Sequence, residues 1–573
     1  MKQLNGYEFY DFFIAGALKL VRHEEVINSI NVFPIADSDT GSNLAYTMKC
    51  ILANASRHER VDDVLLDLSR AALEDAYGNS GAIFASYLFG MSKIAHSKAT
   101  LSIVEFAEVA KGAVQYAYEA LSLPVEGTIL TVMKSWGQYL HDHATHHETF
   151  IPLLKEALYR ANDALLETKD QLEVLHKNNV VDAGAYGFVL FLEGMLDALV
   201  KDTTHIIPTL MPRLHKAHEE TPNVRFCTEF LIASEDLIQR EVLVNNLKEL
   251  GESISFTQHG EMAKIHIHTN SPSRVSNLLS EHGKILKSKV DDMIMQINLN
   301  HSHKKPIGII TDSIADFKLS EDDLKYVHVV PLQVIIDGNV YVDRLTLENQ
   351  QLFEIMHRSK QAPTSAHPSE IVIERAMRHM LMHYEKVIGI FVSSELSGMF
   401  QQAKSVLRKM KSDTITIVDS KTNSAAQGLL VTDALRLIQE GLPYEVIVNR
   451  LMKALNSYKI FVEIPDLHYA TLSGRIPKVV GTIASLLKVK AIISIDSDGK
   501  GIVTSHRQFD HILNRHQFER YAMVYTGNYD SIAPYIEELQ QKIGYGPEFI
   551  SEASNIVSGF VGKGAVGIGF IEK

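Results

Sequence analysis

The sequence predicts a multidomain protein that begins with an all-α domain and continues with a small and then a larger α/β domain. Three observations lead to this prediction. The chain has 573 residues, of which 46% are hydrophobic, and this length suggests three or four separately packed cores. Its first 200 residues repeat apolar positions at helical spacing. Two short stretches of linker composition then separate segments in which strand-like and helix-like patterns alternate.

Residues 1–200 are predicted to form the all-α domain. The segments VDDVLLDLSRAALEDA and FIPLLKEALYRANDALLE have the period of amphipathic helices. An earlier helix shows the same period in a set of apolar residues on one face: Phe9, Phe13, Ala17 and Leu20. Residues 201–223 carry three prolines and little periodicity, so we expect a linker there.

Residues 224–300 mix two kinds of pattern. RFCTEFLIA and AKIHIHT read as strands, whereas REVLVNNLKELG and SRVSNLLSEHG read as helices, which predicts a small α/β domain. A second linker, NHSHKKP, follows. Residues 305–573 then show apolar runs that end in polar turns, such as IGIITDS and ITIVDSK, with helices between them. This order favours a largely parallel sheet.

Charge and composition argue against several classes of protein. The formal net charge is −13 and no basic patch stands out, so we expect no nucleic-acid partner. Cys50 and Cys227 are the only cysteines, which excludes a disulfide framework and fits the reducing cytoplasm. No segment has the length and apolarity of a membrane span or the pattern of a signal peptide, so at most peripheral membrane contact is expected.

The segment NVFPIADSDTGSN contains two aspartates one residue apart, Asp37 and Asp39, in a turn before a helix. Gly41 permits a tight backbone there, and a helix N-terminus favours anions. Carboxylates beside backbone donors suit magnesium together with the phosphates of a nucleotide. The alternative is an Asx-turn that only caps the helix.

Three further glycine-containing turns precede apolar helices. They are GNSG at 78–81, PVEGTIL at 124–130 and VVDAGAYG at 180–187. Each one alone is more often a simple helix connection than a site. If the N-termini of these helices converge on one centre, however, they form a cradle for an anion.

In order and spacing, these four motifs resemble the nucleotide-binding helical domain shared by the L subunit of dihydroxyacetone kinase and fatty acid kinase A. The resemblance implies an eight-helix barrel that binds ATP, with Asp37 and Asp39 as catalytic magnesium ligands. It also implies a set of residues that hold phosphates or nucleotide: Thr40, Asn43, Asn79, Ser80 and Thr128. Two positions depart from the pattern, since Ser38 replaces the glycine of D-G-D and Tyr77 replaces the arginine of A-R-G-N-S-G.

The segment KIHIHTN predicts a metal site in the middle domain. Strand alternation places Lys264, His266 and His268 on one face. With the thiol of Cys227, the two imidazoles can form a three-ligand zinc site with one open position. Without further support, a His-x-His pair on a strand is more often part of a solvated face.

CTEF and HIHTN resemble the middle domain of fatty acid kinase A. This resemblance implies that Cys227, His266 and His268 bind zinc and are needed for activity. Glu229 and Thr269 lie nearby in the sequence and have no assigned role.

Residues 305–573 resemble the DegV family, to which fatty acid kinase B belongs. The resemblance rests on TDS, LSG, VDSK, LSGRI and KGAVGIG, and it implies two α/β lobes that enclose an acyl chain. It further implies that Ser365 and Ser397 bind the head group. Arg475 then steadies the carboxylate or the acyl phosphate and has a catalytic role, because a guanidinium suits either oxyanion. Without the resemblance, both serines read as ordinary turn residues.

Two DegV motifs are altered in this chain. The family's T-S-x-P corresponds to residues 365–368, Ser-Ala-His-Pro, so one hydroxyl is lost. The histidine of H-T-G-P-G corresponds to Phe560. Head-group recognition therefore differs from the family pattern.

Together, the resemblances predict a fatty acid kinase in which the ATP-binding and lipid-holding halves are fused. The reaction is ATP plus a long-chain fatty acid giving ADP and acyl phosphate, in a homodimer that supplies an acyltransferase. One alternative is a lipid carrier or sensor whose kinase domain is weak or inactive. A second is a kinase for a small hydroxyl compound such as dihydroxyacetone.

Overall fold

The computed structural model describes most of the chain in two compact units, Met1–Asn300 and His301–Lys573. The described residues are 1–33, 39–200, 223–295, 304–359, 362–465, 468–474, 491–504, 512 and 515–573. Two residues of the predicted sites, Asp37 and Arg475, lie outside these ranges, as does Ser38.

The described part of residues 1–200 is mainly helical, as predicted. Its helices are α1 (Gly6–Arg22), α2 (Glu24–Ser29), α3 (Thr40–Asn54), α4 (Val61–Asp75), α5 (Gly78–Ile94), α6 (Ile103–Glu119), α7 (Ile129–His143), α8 (Phe150–Gln171), α9 (Glu173–Asn178) and α10 (Ala183–Asp197). A two-stranded antiparallel sheet joins β1 (Gln3–Asn5) to β2 (Thr100–Ser102). Within these described residues, eight helices have at least 15 residues.

The start of α1 shows how local sequence sets a helix. Asn5 caps the helix by accepting a hydrogen bond from the N–H of Glu8, and the Glu8 carboxylate accepts one from the N–H of Asn5 in return. The predicted apolar face is buried in the core: Phe9, Phe13, Ala17 and Leu20. The amphipathic pattern therefore marked the core side of this helix correctly.

Helix α10 is apolar on nearly every side, and this explains its place in the helical domain. Its sequence AGAYGFVLFLEGMLD has few polar residues, and a helix of this kind is stable only when it is buried all round. It packs on α1, α3, α7 and α8. Close contact with α1 depends on Gly194, because a Cβ there would lie 2.6 Å from the carbonyl oxygen of Ala15.

The middle domain is an antiparallel sheet with the strand order β4-β5-β3-β6. Its elements are β3 (Phe226–Ala233), α11 (Arg240–Lys248), β4 (Gly251–His259), β5 (Met262–Thr269), α12 (Pro272–Ser280) and β6 (Lys284–Asp292). The edge strand β4 joins the end of α6 through backbone hydrogen bonds, from Ser122 N to Ile254 O (2.9 Å) and from Phe256 N to Ala120 O (2.8 Å). The helical and middle domains therefore share one compact unit.

The second unit is α/β, as predicted. Its described strands are β7 (Lys305–Asp312), β8 (Val327–Val330), β9 (Gln333–Ile336), β10 (Asn339–Val342), β11 (Thr364–Ala366), β12 (Tyr384–Phe391), β13 (Ile415–Asp419), β14 (Tyr458–Ile464), β15 (Ala491–Ile495), β16 (Gly501–Val503), β17 (Phe518–Tyr525), β18 (Ile550–Glu552) and β19 (Val566–Glu572). Its described helices are α13 (Glu321–Leu324), α14 (Asn349–Arg358), α15 (Glu370–His383), α16 (Met399–Met410), α17 (Ser424–Gln439), α18 (Tyr444–Ala454), α19 (His468–Leu472), α20 (Ala533–Ile543) and α21 (Asn555–Val561).

These strands form three sheets, and only one of them is parallel throughout. The order β13-β12-β7-β8 is parallel. The order β16-β15-β14-β19-β17-β18 is antiparallel except for β17 with β18, and β10-β9-β11 is antiparallel. The expectation of a largely parallel sheet was therefore wrong for the six-stranded sheet. Short apolar runs occur in buried strands of either direction, so they do not reveal how neighbouring strands are oriented.

The TDS motif at the end of β7 serves the structure of this unit. Asp312 accepts backbone hydrogen bonds from Val392 (2.7 Å) and Ile314 (3.1 Å), and Ser313 donates from its hydroxyl to Asp343 at 2.6 Å. Burial raises the pKa of Asp312 and of Asp343 to about 6. These side chains hold β7 to neighbouring segments in the interior.

Within the described ranges, every helix is too short or too polar to cross a lipid bilayer.

Candidate functional site

The N-termini of α3 and α5 lie against each other. Gly78, with φ +63°, begins α5, and a Cβ there would lie 2.6 Å from Nδ2 of Asn43. Glycine is therefore required for both its conformation and this close approach. The Asn43 side chain is buried, and no hydrogen-bond partner among the described residues reaches its Oδ1. A buried amide oxygen without a donor is costly, so this position fits a bound group that supplies a donor or a cation.

The N-termini of α7 and α10 join the same cluster. The buried carboxylate of Asp182 accepts a hydrogen bond from the N–H of Ala185 at 2.7 Å and another from the N–H of Ile129, the first residue of α7. A Cβ on Gly184 would lie 3.0 Å from Oγ of Ser80, which places α5 beside α10. The four glycine-containing motifs therefore meet at one end of the helical domain.

Asp182 was missed as a site residue, although its motif was noted. Burial raises its pKa to about 6, against the effect of the backbone N–H groups that it accepts from. Its carboxylate organises two helix starts at once. An aspartate immediately before an apolar helix is the sequence signal from which this capping role could have been predicted.

The remaining predicted nucleotide residues have different surroundings. Thr40 donates from its hydroxyl to Oδ1 of Asn31 at 2.8 Å, and Thr128 caps α7 while it donates to the carbonyl of Val125 at 2.8 Å. Asn79 resembles Asn43, because no partner in the described part of the chain reaches its buried Oδ1. Asn43 and Ser80 therefore place polar atoms where α5 meets α3 and α10, and Asn79 lies beside Ser80 in the first turn of α5.

Asp39 immediately precedes α3 and makes no capping hydrogen bond to that helix. The simple capping interpretation therefore does not describe its side chain. A carboxylate at this place suits magnesium. Because Asp37 lies outside the described residues, the fit of the site to a magnesium ion rests on Asp39.

Cys227, His266 and His268 come together in the middle domain. Antiparallel pairing of β3 with β5 sets Cys227 opposite His268, and one ligand atom from each of the three residues lies within 4.8 Å of the others. Sγ of Cys227 is 3.7 Å from Nδ1 of His266, and the two imidazole centroids are 5.0 Å apart. Nε2 of His266 and Nδ1 of His268 are buried without a hydrogen-bond partner in the described structure.

This group, called here the Cys-His-His group, has the chemistry of a zinc site. A thiol and two imidazoles are the ligands that zinc prefers, and three protein ligands leave a fourth position open. Burial and the neighbouring charge of His266 lower the pKa of His268 to about 3, so its imidazole is neutral, as a metal ligand must be. The residues present therefore fit zinc.

Charges around Cys227 show that the Cys-His-His group lies close to the start of α3. Burial raises the pKa of Cys227 well above its ordinary value, and the carboxylates of Glu229, Asp291 and Asp39 raise it further, whereas Lys289 lowers it. Asp39 belongs to the helical domain and is near enough to affect the thiol. The predicted phosphate cradle and the predicted metal site are therefore neighbours.

Glu229 links these two sites directly. One oxygen, Oε1, accepts a hydrogen bond from the N–H of Gly78 at 2.5 Å and lies 3.6 Å from Nδ1 of His266. The other, Oε2, is 3.2 Å from Nζ of Lys264. Burial would raise the pKa of Glu229, but the positive charges of Lys264 and Lys289 outweigh it and hold the pKa well below the ordinary value.

In the second unit, Ser397 lies just before α16. Its Oγ accepts a weak hydrogen bond from the N–H of Met399 at 3.3 Å. A Cβ on Gly398 would lie 3.3 Å from Cδ2 of His367, so that imidazole packs against the Ser397–Gly398 turn. Ser365 lies two residues before His367, on β11, where it pairs with Val334. His367 is therefore a polar neighbour of the predicted head-group residues. It occupies the variable position of the T-S-x-P motif, so no role was predicted for it from the sequence.

Three protein-family models match successive parts of the chain. The DAK2 domain matches residues 34–197, a middle domain of the fatty acid kinase A-like type matches residues 223–299, and the DegV family matches residues 306–573.

Curated relatives include uncharacterized proteins from several strains of Staphylococcus aureus. They are 29% identical over 310 residues, which is 51% of this chain and 56% of theirs. The chain thus spans about half the length of the curated relatives it matches.

Similar solved structures include a fatty-acid-binding DegV family protein from Thermus thermophilus, 22% identical with a TM-score of 0.43. The Fak B3 protein of Streptococcus pneumoniae, loaded with linoleic acid, is 21% identical with a TM-score of 0.43. Each similarity covers 47% of this chain and 100% of the other.

Proposed function

This chain combines a DAK2 domain, a fatty acid kinase A-like middle domain and a DegV-family domain in one polypeptide, and we propose that it is a fatty acid kinase. In this proposal it transfers the γ-phosphoryl group of ATP to the carboxylate of a long-chain fatty acid. The products are ADP and an acyl phosphate.

One observation carries the proposal. Glu229 bonds to the first N–H of α5 and lies beside His266, so the helix N-termini and the Cys-His-His group form a single candidate site. Helix N-termini bind phosphate groups, and this site lies within a DAK2 domain and a fatty acid kinase A-like middle domain.

The reaction needs little covalent help from the protein. A carboxylate oxygen attacks the γ-phosphorus, the new P–O bond forms as the bond to the β,γ-bridging oxygen breaks, and the electron pair leaves with ADP. An ionised fatty acid has no proton to remove, so catalysis depends on position and charge. Magnesium, held by Asp37 and Asp39, would neutralise phosphate oxygens, and zinc on the Cys-His-His group would add a further positive charge.

The chain's own residues then orient the reactants. Asn43, Asn79 and Ser80 face the junction of the helix N-termini and would bind phosphate or nucleotide oxygens through their amide and hydroxyl groups, with Thr40 and Thr128 at its edge. Glu229 fixes the start of α5. In the DegV-family domain, Ser365, Ser397 and Arg475 would hold the carboxylate of the fatty acid, since a guanidinium pairs well with a carboxylate or an acyl phosphate.

The proposal also includes the arrangement of the protein. We infer that the eight long helices form a barrel, that two chains form a homodimer in the cytoplasm and that an acyltransferase accepts the acyl phosphate. Sedimentation equilibrium on the purified full chain tests the dimer, because a single species at the mass of one chain, 64.1 kDa, contradicts it.

The activity is tested by mixing the full chain with MgATP and oleate and measuring ADP release. Hydroxylamine added to the same reaction traps acyl phosphate as a hydroxamate, and we expect one hydroxamate for each ADP. Bound oleate with no ADP release would favour the lipid carrier. ADP release that depends on dihydroxyacetone instead of oleate would favour the small-molecule kinase.

A further inference from the structure

The helix starts that form the candidate phosphate cradle carry no cationic side chains. The segments 39–48, 77–92, 124–133 and 180–199 contain neither lysine nor arginine. A nucleoside triphosphate has several negative charges, and proteins that transfer its γ-phosphoryl group place lysine or arginine beside them in addition to magnesium. A helix N-terminus contributes only about half an elementary charge. The missing positive charge therefore has to come from another part of the protein.

Two lysines of the middle domain reach this place. Lys289, on β6, has its Nζ 3.7 Å from the centroid of the Tyr77 ring, and Lys264, on β5, has its Nζ 6.0 Å from the same centroid. Tyr77 immediately precedes Gly78, the first residue of α5. Both ammonium groups therefore flank the start of the helix that carries Asn79 and Ser80.

The two lysines differ in what holds them. Lys264 is buried, with its side chain 9% exposed, and pairs with the still more deeply buried Glu229. Lys289 pairs with Asp291, and both of these side chains are about one-fifth exposed. Lys289 is therefore less deeply buried than Lys264, and a phosphate oxygen can replace the Asp291 carboxylate as the partner of Lys289.

A second observation points to a ligand at the same place. Oδ1 of the buried Asn43 has no hydrogen-bond partner in the described residues, and its Nδ2 lies against Gly78. Next to the start of α5, the structure thus has a buried polar atom without a hydrogen-bond partner among the described residues, and it also has the ammonium group of Lys289, whose side chain is about one-fifth exposed.

We propose that Lys289, held over the ring of Tyr77, binds the phosphates of the nucleotide, so that the middle domain completes the nucleotide site of the helical domain. This inference rests on the proposed function. It also accounts for Tyr77, which stands where the resembling domains have an arginine. In this interpretation, the positive charge at the residue before α5 is supplied instead by Lys289 of β6, which lies over the Tyr77 ring.

The test measures MgATP affinity of the full chain by isothermal titration calorimetry. Lys289→Met is expected to weaken binding about tenfold or more, as for loss of a hydrogen bond to a charged group, and Lys289→Arg is expected to bind within about threefold of wild type. Lys287→Met is the matched control, because Lys287 lies on the same strand and pairs with Asp75 at 2.9 Å. Its affinity should match wild type.

Placing a positive charge at position 77 in a variant that lacks Lys289 gives a sharper test. Tyr77→Arg in the Lys289→Met background should restore most of the lost affinity, while Tyr77→Phe in that background should not. Zinc content and the urea midpoint of each variant show whether the fold and the Cys-His-His group are intact.

Three results would overturn the inference. If Lys289→Met binds MgATP within twofold of wild type, or if Lys287→Met is equally impaired, Lys289 has no specific part in the nucleotide site. If Tyr77→Arg restores nothing in a variant with normal zinc content, the charge has not been exchanged between these positions. Wild-type protein that fails to bind MgATP would contradict the proposed function itself, and this inference with it.

Discussion

The carboxylate of Glu229 accepts a hydrogen bond from the backbone N–H of Gly78 at 2.5 Å, across a sequence separation of 151 residues. The same carboxylate lies beside Lys264 and His266. A buried glutamate therefore connects the first turn of α5 with the Cys-His-His group. The two regions are thus joined through one buried side chain.

We predict that Glu229→Gln destabilises the first unit. Glutamine can still accept from the Gly78 N–H, but Lys264 loses its buried countercharge, and breaking a buried pair costs roughly 3–5 kcal/mol. Urea unfolding followed by the fluorescence of Trp136, the single tryptophan of the chain, measures the loss. Glu261→Gln, at an exposed position of the same domain, should be neutral. Equal stability of both variants would contradict this role of the Glu229–Lys264 pair.

The metal prediction concerns the Cys-His-His group. His266→Ala with His268→Ala should remove zinc from the purified protein, because two of three ligands are lost. Elemental analysis of the full chain checks this result, and His282→Ala, which lies after α12 and outside the group, should retain zinc. Wild-type protein that contains no zinc after purification with added zinc would exclude the site.

The sequence was sufficient to find the members of this group and to note Glu229 nearby, but not to predict what Glu229 contacts. Strand alternation placed His266 and His268 on one face, because the period of a strand is two, and antiparallel pairing brought Cys227 opposite His268. The contact of Glu229 with Gly78 has no such local signal. It depends on how the middle domain packs against the helical domain, which no short-range pattern encodes.

Short-range sequence patterns also failed to predict whether neighbouring strands of the second unit are parallel or antiparallel. The apolar runs of the second unit were correctly interpreted as strands, yet β14, β15 and β19 are antiparallel. Gly569 of β19 allows close packing on α17, where a Cβ would lie 2.7 Å from the backbone nitrogen of Ala426. A glycine in a strand signals a close approach, but it does not say which strand lies alongside.

The magnesium prediction concerns the opening turn of the helical domain. Asp37→Asn with Asp39→Asn should abolish MgATP binding and leave oleate binding unchanged, because carboxylates hold magnesium far better than amides. Calorimetry measures both affinities on the same preparation. Asp67→Asn, on α4, serves as the control. Unchanged MgATP affinity in the double variant would leave these aspartates with a structural role only.

Asp182 predicts a dependence of stability on pH. Its folded pKa of about 6 lies above the unfolded value of 3.8, so its contribution is complete below about pH 4 and is lost as pH rises through 6. Two pKa units correspond to about 3 kcal/mol. Asparagine keeps an acceptor for the N–H of Ala185 but does not titrate.

Urea unfolding of wild type and Asp182→Asn, followed by Trp136 fluorescence at several pH values, isolates this effect. The difference in unfolding free energy should move in favour of the variant between pH 4 and pH 7. A difference that stays constant over this range would show that the carboxyl group has an ordinary pKa in the folded protein.

The last prediction concerns the head group of the fatty acid in the DegV-family domain. Ser397 lies before α16, and the imidazole of His367 packs on the adjacent Gly398. Ser397→Ala should weaken oleate binding about tenfold, since a hydrogen bond to a charged carboxylate contributes roughly 1.5–3 kcal/mol. His367→Ala should weaken it as well, if the imidazole beside this turn takes the place of the histidine that Phe560 replaces. Displacement of a fluorescent fatty acid measures both affinities, with Ser320→Ala at the exposed start of α13 as the control.

Methyl oleate provides the decisive comparison, because it lacks the charged carboxylate. Wild type should bind it more weakly than oleate, whereas Ser397→Ala should discriminate less between the two. Equal discrimination by wild type and variant would place the carboxylate away from Ser397.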